Sequence, residues 1–183
     1  MPRKTHSASK NRRHDDALAA HRHWLALAES TALQPVNQGG SPHPTVKVGA
    51  VLVDARGREI AKSSNRFAYG VDRRRPERFR EGLKSLWINC AEQMAIAKAL
   101  RQRADVKGAQ LYVTLEPCAV CAGIIGELRL KHVFVPAGAL RRYAKLKAKW
   151  KNSIEIGLIK LAEAGVEVTA IDTRPVKKAK RRR

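Results

Sequence analysis

Every cysteine of this 183-residue chain lies in one of two short segments, Asn89-Cys90-Ala91-Glu92 and Pro117-Cys118-Ala119-Val120-Cys121. Cys118 and Cys121 are three positions apart, so a helix over this segment would put both sulfur atoms on one face. Cys90 supplies a third sulfur from the other segment. Three protein ligands leave the fourth tetrahedral position of a zinc ion open, as in catalytic sites. The sequence therefore predicts a Zn²⁺ cofactor held by Cys90, Cys118 and Cys121.

Glu92 is the candidate catalytic residue. It lies two positions after Cys90, and residues at this spacing do not face each other within a helix. They converge only where Cys90 stands at the helix end and Glu92 just inside it, and there the carboxylate can carry a proton from water to a substrate. The alternative is a structural three-cysteine site or three unrelated buried thiols, in which this carboxylate has no role.

The net charge of +21 is concentrated at the two ends of the chain. Residues 1–13 contain five Lys or Arg and residues 174–183 contain seven, with no acidic residue in either segment. Both segments are predicted to be disordered basic tails around one folded domain of residues 14–173. Such tails favour non-specific binding of nucleic acid through counterion release, or serve only as solvated ends.

No apolar run approaches the roughly 18–20 residues that a membrane-spanning helix needs, so no membrane association is expected. The basic N-terminal residues are not followed by the apolar core of a signal peptide. Three thiols fit a reducing compartment better than a disulfide framework. These observations together favour a cytoplasmic location.

Helical and strand patterns alternate along the folded part of the chain. Apolar residues at helical spacing predict a first helix over residues 15–33. A β-rich segment, a tight turn and a second short run predict a hairpin of strands 45–53 and 59–64. Helices and strands are then predicted in alternation over residues 90–103, 110–115, 118–128, 132–136, 152–165 and 166–171. A capping box at residues 152–155 is expected to open the last helix, and the alternation predicts a layered α/β domain.

The two cysteine segments resemble the zinc-binding motifs of the cytidine and deoxycytidylate deaminase superfamily. The similarity extends from about Val46 to about Ile171. It implies a three-layer α/β/α cytidine-deaminase-like fold with a mixed five-stranded sheet. It also implies Cys90, Cys118 and Cys121 as zinc ligands, Glu92 as the proton shuttle, and a homo-oligomeric assembly.

Within the superfamily, the chain is most similar to the deoxycytidylate (dCMP) deaminase branch. Residues 64–72 resemble the segment in which that branch has a substrate-binding asparagine, and a long connection to Cys90 follows. Asn65 would by this resemblance hydrogen-bond the sugar, although a turn residue after a strand is the alternative. The chain departs from the branch at Cys90, where His is usual, and at Arg66, where glycine is common.

The leading expectation is the hydrolysis of a small pyrimidine nucleotide, dCMP, to dUMP and ammonia. The arginines of the 66–80 connection are candidates to hold its 5′-phosphate, or they form a solvated basic loop. The first alternative is a deaminase of free cytidine or of polynucleotide, namely single-stranded DNA, RNA or tRNA. The second is a non-catalytic, zinc-containing nucleic-acid-binding protein, against which the presence of Glu92 argues.

Overall fold

The computed structural model describes residues 5–80, 82–142 and 147–174. Its middle layer is a sheet of five strands in the spatial order β2 (Glu59–Ser64), β1 (Gly49–Val53), β5 (Gln110–Val113), β6 (His132–Pro136) and β7 (Glu167–Ile171). β1 pairs antiparallel with β2 and β5, whereas β5, β6 and β7 are parallel. The predicted mixed five-stranded sheet is therefore confirmed.

Helices cover both faces of this sheet. The core on one face is shared with α3 (Ala91–Arg101), α4 (Ala119–Glu127) and α6 (Ala148–Glu163), and the core on the other face with α1 (Thr5–Leu33). Two short helices, α2 (Lys84–Trp87) and α5 (Ala139–Arg142), lie in the connections. A separate pair of short strands, β3 (Arg66–Phe67) and β4 (Ile88–Asn89), joins the two ends of the long connection before α3. The α/β/α layers predicted from the sequence are present.

The side chains of β1 show how the layers are built. Alternate residues of a strand point to opposite faces, and β1 is buried on both. Ala50 and Leu52 belong to the core shared with α3, α4 and α6, whereas Val51 and Val53 belong to the core under α1. The uninterrupted apolar run of this strand follows from its position between two helical layers.

The start of β1 touches α1 so closely that only glycine fits. A Cβ atom added at Gly49 would lie 1.8 Å from the carbonyl oxygen of Ala28. The same Gly49 also marks where the strand begins, since residues 45–48 precede it as a loop rather than as part of the predicted strand. The second strand of the hairpin has the predicted bounds.

The first helix begins at Thr5, so the prediction of a start at residue 15 was wrong. The structure describes residues 5–13 as the first part of α1, where the sequence analysis predicted a disordered tail. These residues lack an apolar pattern, but they contain neither Gly nor Pro, and nothing in them ends a helix. The remaining parts of the two predicted tails, residues 1–4 and 175–183, lie outside the described residues.

The last helix begins at Ala148 with Lys147 as its N-cap, so the capping box predicted at residues 152–155 was wrong. Its serine has a different partner. The hydroxyl oxygen of Ser153 accepts a hydrogen bond from the backbone N–H of Ala119, at 3.2 Å, in the first turn of α4. Ser153, which the predicted capping box placed directly after its cap residue Asn152, thus satisfies a backbone N–H at the N-terminus of a neighbouring helix.

None of the helices in the described ranges is both long enough and apolar enough to cross a bilayer.

Two histidines in the core under α1 make stability depend on pH. The rings of His21 and His132 stack on Phe134 at centroid distances of 4.1 and 4.0 Å. Burial lowers the pKa of both imidazoles below the usual 6.5. The unfolded chain therefore takes up protons at a higher pH than the folded chain, and stability is lost as the pH falls below about 6.5.

We predict that the free energy of unfolding falls between about pH 7 and pH 5, and that His21→Asn reduces this slope. Urea unfolding at both pH values measures it. His14→Asn, at an exposed position of the same helix, is the matched control and should leave the slope unchanged. An identical slope in wild type and His21→Asn would contradict this account.

Candidate active site

Two helix N-termini carry the cysteine cluster. Cys90 is the N-cap residue of α3, and Cys118 is the N-cap residue of α4, with Cys121 in the first turn of that helix. Helix N-termini present unpaired backbone N–H groups and a positive end of the helix dipole. Both effects favour the thiolate form of cysteine, which is the form that binds metal.

The three sulfur atoms converge as the sequence predicted. The Sγ atoms of Cys90, Cys118 and Cys121 lie within 4.8 Å of one another. Thiolates bound tetrahedrally at about 2.3 Å from zinc are about 3.8 Å apart, so a small contraction would complete the site. Across the described part of the chain, no other three His, Cys, Asp or Glu side chains converge in this way. The donor set fits a zinc ion with one open position.

In the metal-free cluster, negative charge is favoured on Cys118 alone. Hydrogen bonds from the thiols of Cys121 and Cys90 lower the pKa of the Cys118 thiol, and the same hydrogen bonds raise the pKa of Cys90 and Cys121. Cys118 and Cys121 are buried, and Cys90 is partly exposed on the cavity side. Protons that the three thiols share in the metal-free cluster leave when zinc binds, since only thiolates are ligands.

Glu92 lies in the first turn of α3, just inside Cys90, which is the arrangement that the spacing required. Glu92 is buried, with 4% of its surface exposed. Burial raises the pKa of this carboxyl to about 7. A group with a pKa near 7 can both accept and donate a proton at neutral pH, as a proton shuttle must.

A cavity of about 170 Å³ opens next to the cysteine cluster and Glu92. Asn65, Asn89 and Glu116 contribute polar side chains to its wall, and Ile88 and Leu115 contribute apolar ones. Its lining also includes residues from the N-terminal end of α6: Lys147, Lys149 and Trp150. The reactive groups therefore line a concave site with an apolar wall and a few polar groups, as binding sites for small ligands do.

Asn65 lies in this wall, but its amide is already engaged. Its Oδ1 accepts a hydrogen bond from the Val48 N–H at 2.9 Å, and its Nδ2 donates to the Val46 carbonyl at 2.9 Å. The side chain thus fixes the loop before β1. One N–H of the amide is left for a ligand, so substrate binding by Asn65 stays a prediction, combined with a structural role.

The arginines of residues 66–80 do not line the cavity. Arg66, Arg73 and Arg74 line a separate groove beside the exposed Tyr69. Arg78 stacks on the ring of Trp87, with its guanidinium carbon 4.3 Å from the ring centroid. The lysine and arginine side chains that line this cavity, among the described residues, are instead Lys149 of α6 and Lys147, the N-cap residue of that helix.

Sequence reasoning missed the cavity residues Lys147, Lys149, Trp150 and Glu116. The basic run around residues 139–151 was a visible signal for the lysines. Lys147 and Lys149 lie at the cavity because α6 begins at Ala148, before the predicted start at residue 152. Glu116 directly precedes the Pro117-Cys118 segment, but nothing in the sequence shows that one of its carboxylate oxygens is buried without a partner among the described residues.

A family model described as the cytidine and deoxycytidylate deaminase zinc-binding region matches residues 22–137. The chain belongs to this deaminase family. The matched range contains all three cysteines and Glu92, so the sites that carry the chemistry lie within it.

Three curated relatives of this deaminase show how varied the family is. An uncharacterized deaminase from the luxG 3′ region of Aliivibrio fischeri is 30% identical over 70% of this chain and 82% of its own length. A probable deoxycytidylate deaminase of Caenorhabditis elegans is 31% identical over 64% of this chain and 57% of its own. A tRNA-specific adenosine deaminase of Rickettsia bellii is 36% identical over 50% of this chain and 56% of its own.

The solved dCMP deaminase of cyanophage S-TIM5, in complex with dCMP and dUMP, has a similar structure. The TM-score is 0.58 at 20% identity, and the match covers 81% of this chain and 93% of that chain. This likeness supports the cytidine-deaminase-like fold. Because the relatives differ in their named substrates, family membership establishes a deaminase and leaves the base open.

The contact between α6 and the Pro117-Cys118 segment gives a test of the metal site. A Cβ atom at Gly157 would lie 2.4 Å from the carbonyl oxygen of Pro117, so Gly157→Ala must displace the segment that carries Cys118. We predict at least a severalfold loss of bound zinc, measured by metal analysis after dialysis against a weak chelator.

Gly126→Ala is the matched control for that variant. It adds the same methyl group between α4 and α6, where the nearest atom is the Cβ of Ala164 at 3.0 Å, away from the cysteines. Zinc content should stay close to that of the wild type. Equal zinc in all three proteins would show that the α6 contact does not position the ligand segment.

Proposed function

We propose that this deaminase hydrolyses a cytosine nucleotide, converting dCMP and water to dUMP and ammonia. The observation that carries the proposal is one cavity lined by Cys90 and Cys118 of the cysteine cluster, by the buried Glu92, and by Lys147 and Lys149 at the N-terminal end of α6. Zinc, when bound by Cys90, Cys118 and Cys121, supplies an activated water by lowering its pKa.

Glu92 moves the protons of this reaction. Its carboxylate takes a proton from the attacking water and delivers it to N3 of the cytosine ring as a bond forms between C4 and the water oxygen. Glu92 then takes the remaining proton of the C4 hydroxyl and delivers it to the amino nitrogen, the bond between C4 and this nitrogen breaks, ammonia leaves, and the C4 carbonyl of uracil forms. Burial keeps Glu92 away from bulk water, so its protons go to the substrate.

The lysines of α6 support a phosphorylated substrate. Lys149 is exposed on the cavity side of this 16-residue helix, and its Nζ lies 5.9 Å from the ring centroid of Trp150. Lys147 is the N-cap residue of the same helix. Two ammonium groups beside a helix N-terminus favour an anion, and the 5′-phosphate of a nucleotide supplies one.

A polynucleotide substrate is the second candidate, and a specific surface favours it. Tyr69 is 95% exposed, next to the groove lined by Arg66 and Arg73. Basic grooves with exposed aromatic rings bind single strands by stacking and by phosphate contacts. The similarity to a tRNA-specific adenosine deaminase is consistent with such a substrate.

Location and assembly complete the proposal. Thiolate ligands that must stay reduced favour the cytoplasm. Exposed apolar side chains on two packed helices, Val120 of α4 and Ile156 and Ile159 of α6, support burial against a second copy of the chain.

A substrate panel tests the reaction. Zinc-loaded enzyme is incubated separately with dCMP, deoxycytidine, a cytosine-containing single-stranded DNA and a tRNA, and products are identified by mass spectrometry. We predict turnover of dCMP, and a loss of at least about 10³-fold in Glu92→Gln with zinc content unchanged, because the shuttle is removed and the ligands are kept. Turnover of the polymers alone would contradict the dCMP proposal, and an empty Glu92→Gln site would contradict the assigned roles.

A charge variant tests the phosphate subsite. Lys147→Gln with Lys149→Gln should raise KM for dCMP about tenfold or more and leave KM for deoxycytidine nearly unchanged, because only dCMP carries the phosphate. Lys151→Gln, exposed on the same helix outside the cavity lining, is the matched control. Equal increases in KM for dCMP and for deoxycytidine would show that these lysines do not recognise the phosphate.

A further inference from the structure

Trp150 lines the catalytic cavity, and the proposed reaction gives it no role. The described part of the cavity wall contains no other Trp, Tyr or Phe. Trp150 is half-buried, and its side chain packs against the hydrophobic core that the sheet shares with α3, α4 and α6. The cavity therefore has one large aromatic ring in its wall, anchored by the core and still partly accessible.

The position of Trp150 follows from the face of α6 that contacts the segment between β5 and α4. Ser153, three positions further along α6, accepts a hydrogen bond from the backbone N–H of Ala119. Gly157 lies so close to this segment that an added Cβ atom would be 2.4 Å from the carbonyl oxygen of Pro117. Residues at spacings of three, four and seven lie on one face of a helix. Trp150 begins this face, so α6 presents it next to the part of the cavity wall that the segment forms.

One contact of the indole ring is weak enough for a ligand to displace. The ammonium nitrogen of Lys149 lies over the ring, 5.9 Å from its centroid. Cation–π contacts extend to about 6 Å and contribute little at exposed sites. Lys149 is exposed, and its long side chain leaves the ammonium group free to turn towards an anion.

A planar base is the group that suits this ring. Bases stack on aromatic side chains whatever their identity, because every base has a π-face. A nucleotide carries its base and its phosphate on one sugar, and Lys149 adjoins Trp150 in the first turn of α6. One nucleotide can therefore place its base against the ring and its phosphate near the ammonium group.

We propose that Trp150 is a substrate-binding residue on whose indole ring the base of the nucleotide stacks, while the ammonium group of Lys149 turns from the ring to the phosphate. This inference rests on the proposed function, and it adds the side chain that holds the base in the cavity. Stacking fixes the plane of the base and adds affinity for any base, so the choice between bases is left to other parts of the wall.

The test measures dissociation constants by calorimetry in the zinc-loaded Glu92→Gln protein, where the substrate is not consumed. Trp150→Leu keeps an apolar side chain and removes the π-face. We expect it to weaken the binding of dCMP and of deoxycytidine by a similar factor of about tenfold or more. Trp150→Phe keeps an aromatic ring and should bind both ligands within about threefold of the parent protein.

Trp87→Leu is the matched control. Trp87 is also partly exposed and has a cation over its ring, that of Arg78, but it does not line the cavity. Both dissociation constants should stay unchanged in this variant. A loss confined to dCMP in Trp150→Leu would place the effect on the phosphate and would overturn the inference, as would unchanged binding of both ligands.

A purely structural role for Trp150 would give a different result. Zinc content and the urea midpoint would fall in Trp150→Leu, and Trp150→Phe would not restore binding.

Fluorescence reports the contact directly. The chain has three tryptophans, so Trp24→Phe with Trp87→Phe leaves Trp150 as the one indole. In the Glu92→Gln background, dCMP should quench the emission of Trp150, because the base lies against the ring. Unchanged emission at a dCMP concentration that calorimetry shows to be saturating would contradict the stacking.

The same variants separate this inference from the choice of substrate. If neither dCMP nor deoxycytidine binds, the dCMP proposal fails, and the measurement moves to AMP, adenosine and a single-stranded DNA. A loss of about tenfold in Trp150→Leu that Trp150→Phe restores would then still support the role of Trp150. Equal binding of these ligands to all three proteins would overturn that role, and failure of every ligand to bind would contradict both proposals.

Discussion

The active site depends on the hydrogen bonds that join β1 to the end of β5. Two hydrogen bonds of 3.1 Å join Thr114, directly after β5, to Gly49 at the start of β1, and they fix where the chain leaves the sheet. Cys118, the N-cap residue of α4, follows four residues later. Cys90 opens α3, which packs against β1 and β2. Two helices that share one sheet thus start at the same place, and their N-termini bring three thiols together. The convergence of the three thiols is then a consequence of sheet register, since a shift along the strand would separate the sulfur atoms.

Opposite charges divide the cavity. Cys90, Cys118 and the carboxyl groups of Glu92 and Glu116 lie in its wall, whereas the exposed Lys147 and Lys149 line it from the N-terminal end of α6. A nucleotide has the complementary distribution, with amino groups on the base and negative charge on the phosphate. The proposed orientation, base inward and phosphate towards α6, follows from this complementarity rather than from any single contact. Because basic side chains also suit the phosphate of a single nucleotide, the extreme positive charge of the chain does not by itself identify a polynucleotide substrate.

Sequence reasoning found the parts of the protein that depend on short-range spacing. The spacing of Cys118 and Cys121, and the position of Glu92 after Cys90, required two helix ends, and the helices begin there. The mixed sheet followed from the order of the strands.

The predictions were wrong where tertiary contacts determine which partner a side chain has. Ser153 looked like part of its own helix cap, and its hydroxyl in fact serves α4. The arginines of the long connection looked like phosphate ligands, but they do not line the cavity, whereas Ile88 and Asn89 at the end of the same connection do. Oε2 of Glu116 is buried without a hydrogen-bond partner among the described residues, and this depends on tertiary structure that no local pattern records.

The central claim is that Cys90, Cys118 and Cys121 hold one zinc ion and leave a fourth position for water. X-ray absorption at the zinc edge of the purified protein tests it most directly. We predict three sulfur scatterers at about 2.3 Å and one oxygen at about 2.0 Å. A shell of four sulfur atoms, which would mean a site closed by a cysteine from another copy of the chain, would contradict the account. So would a shell dominated by nitrogen, or protein that binds no zinc when its thiols are reduced.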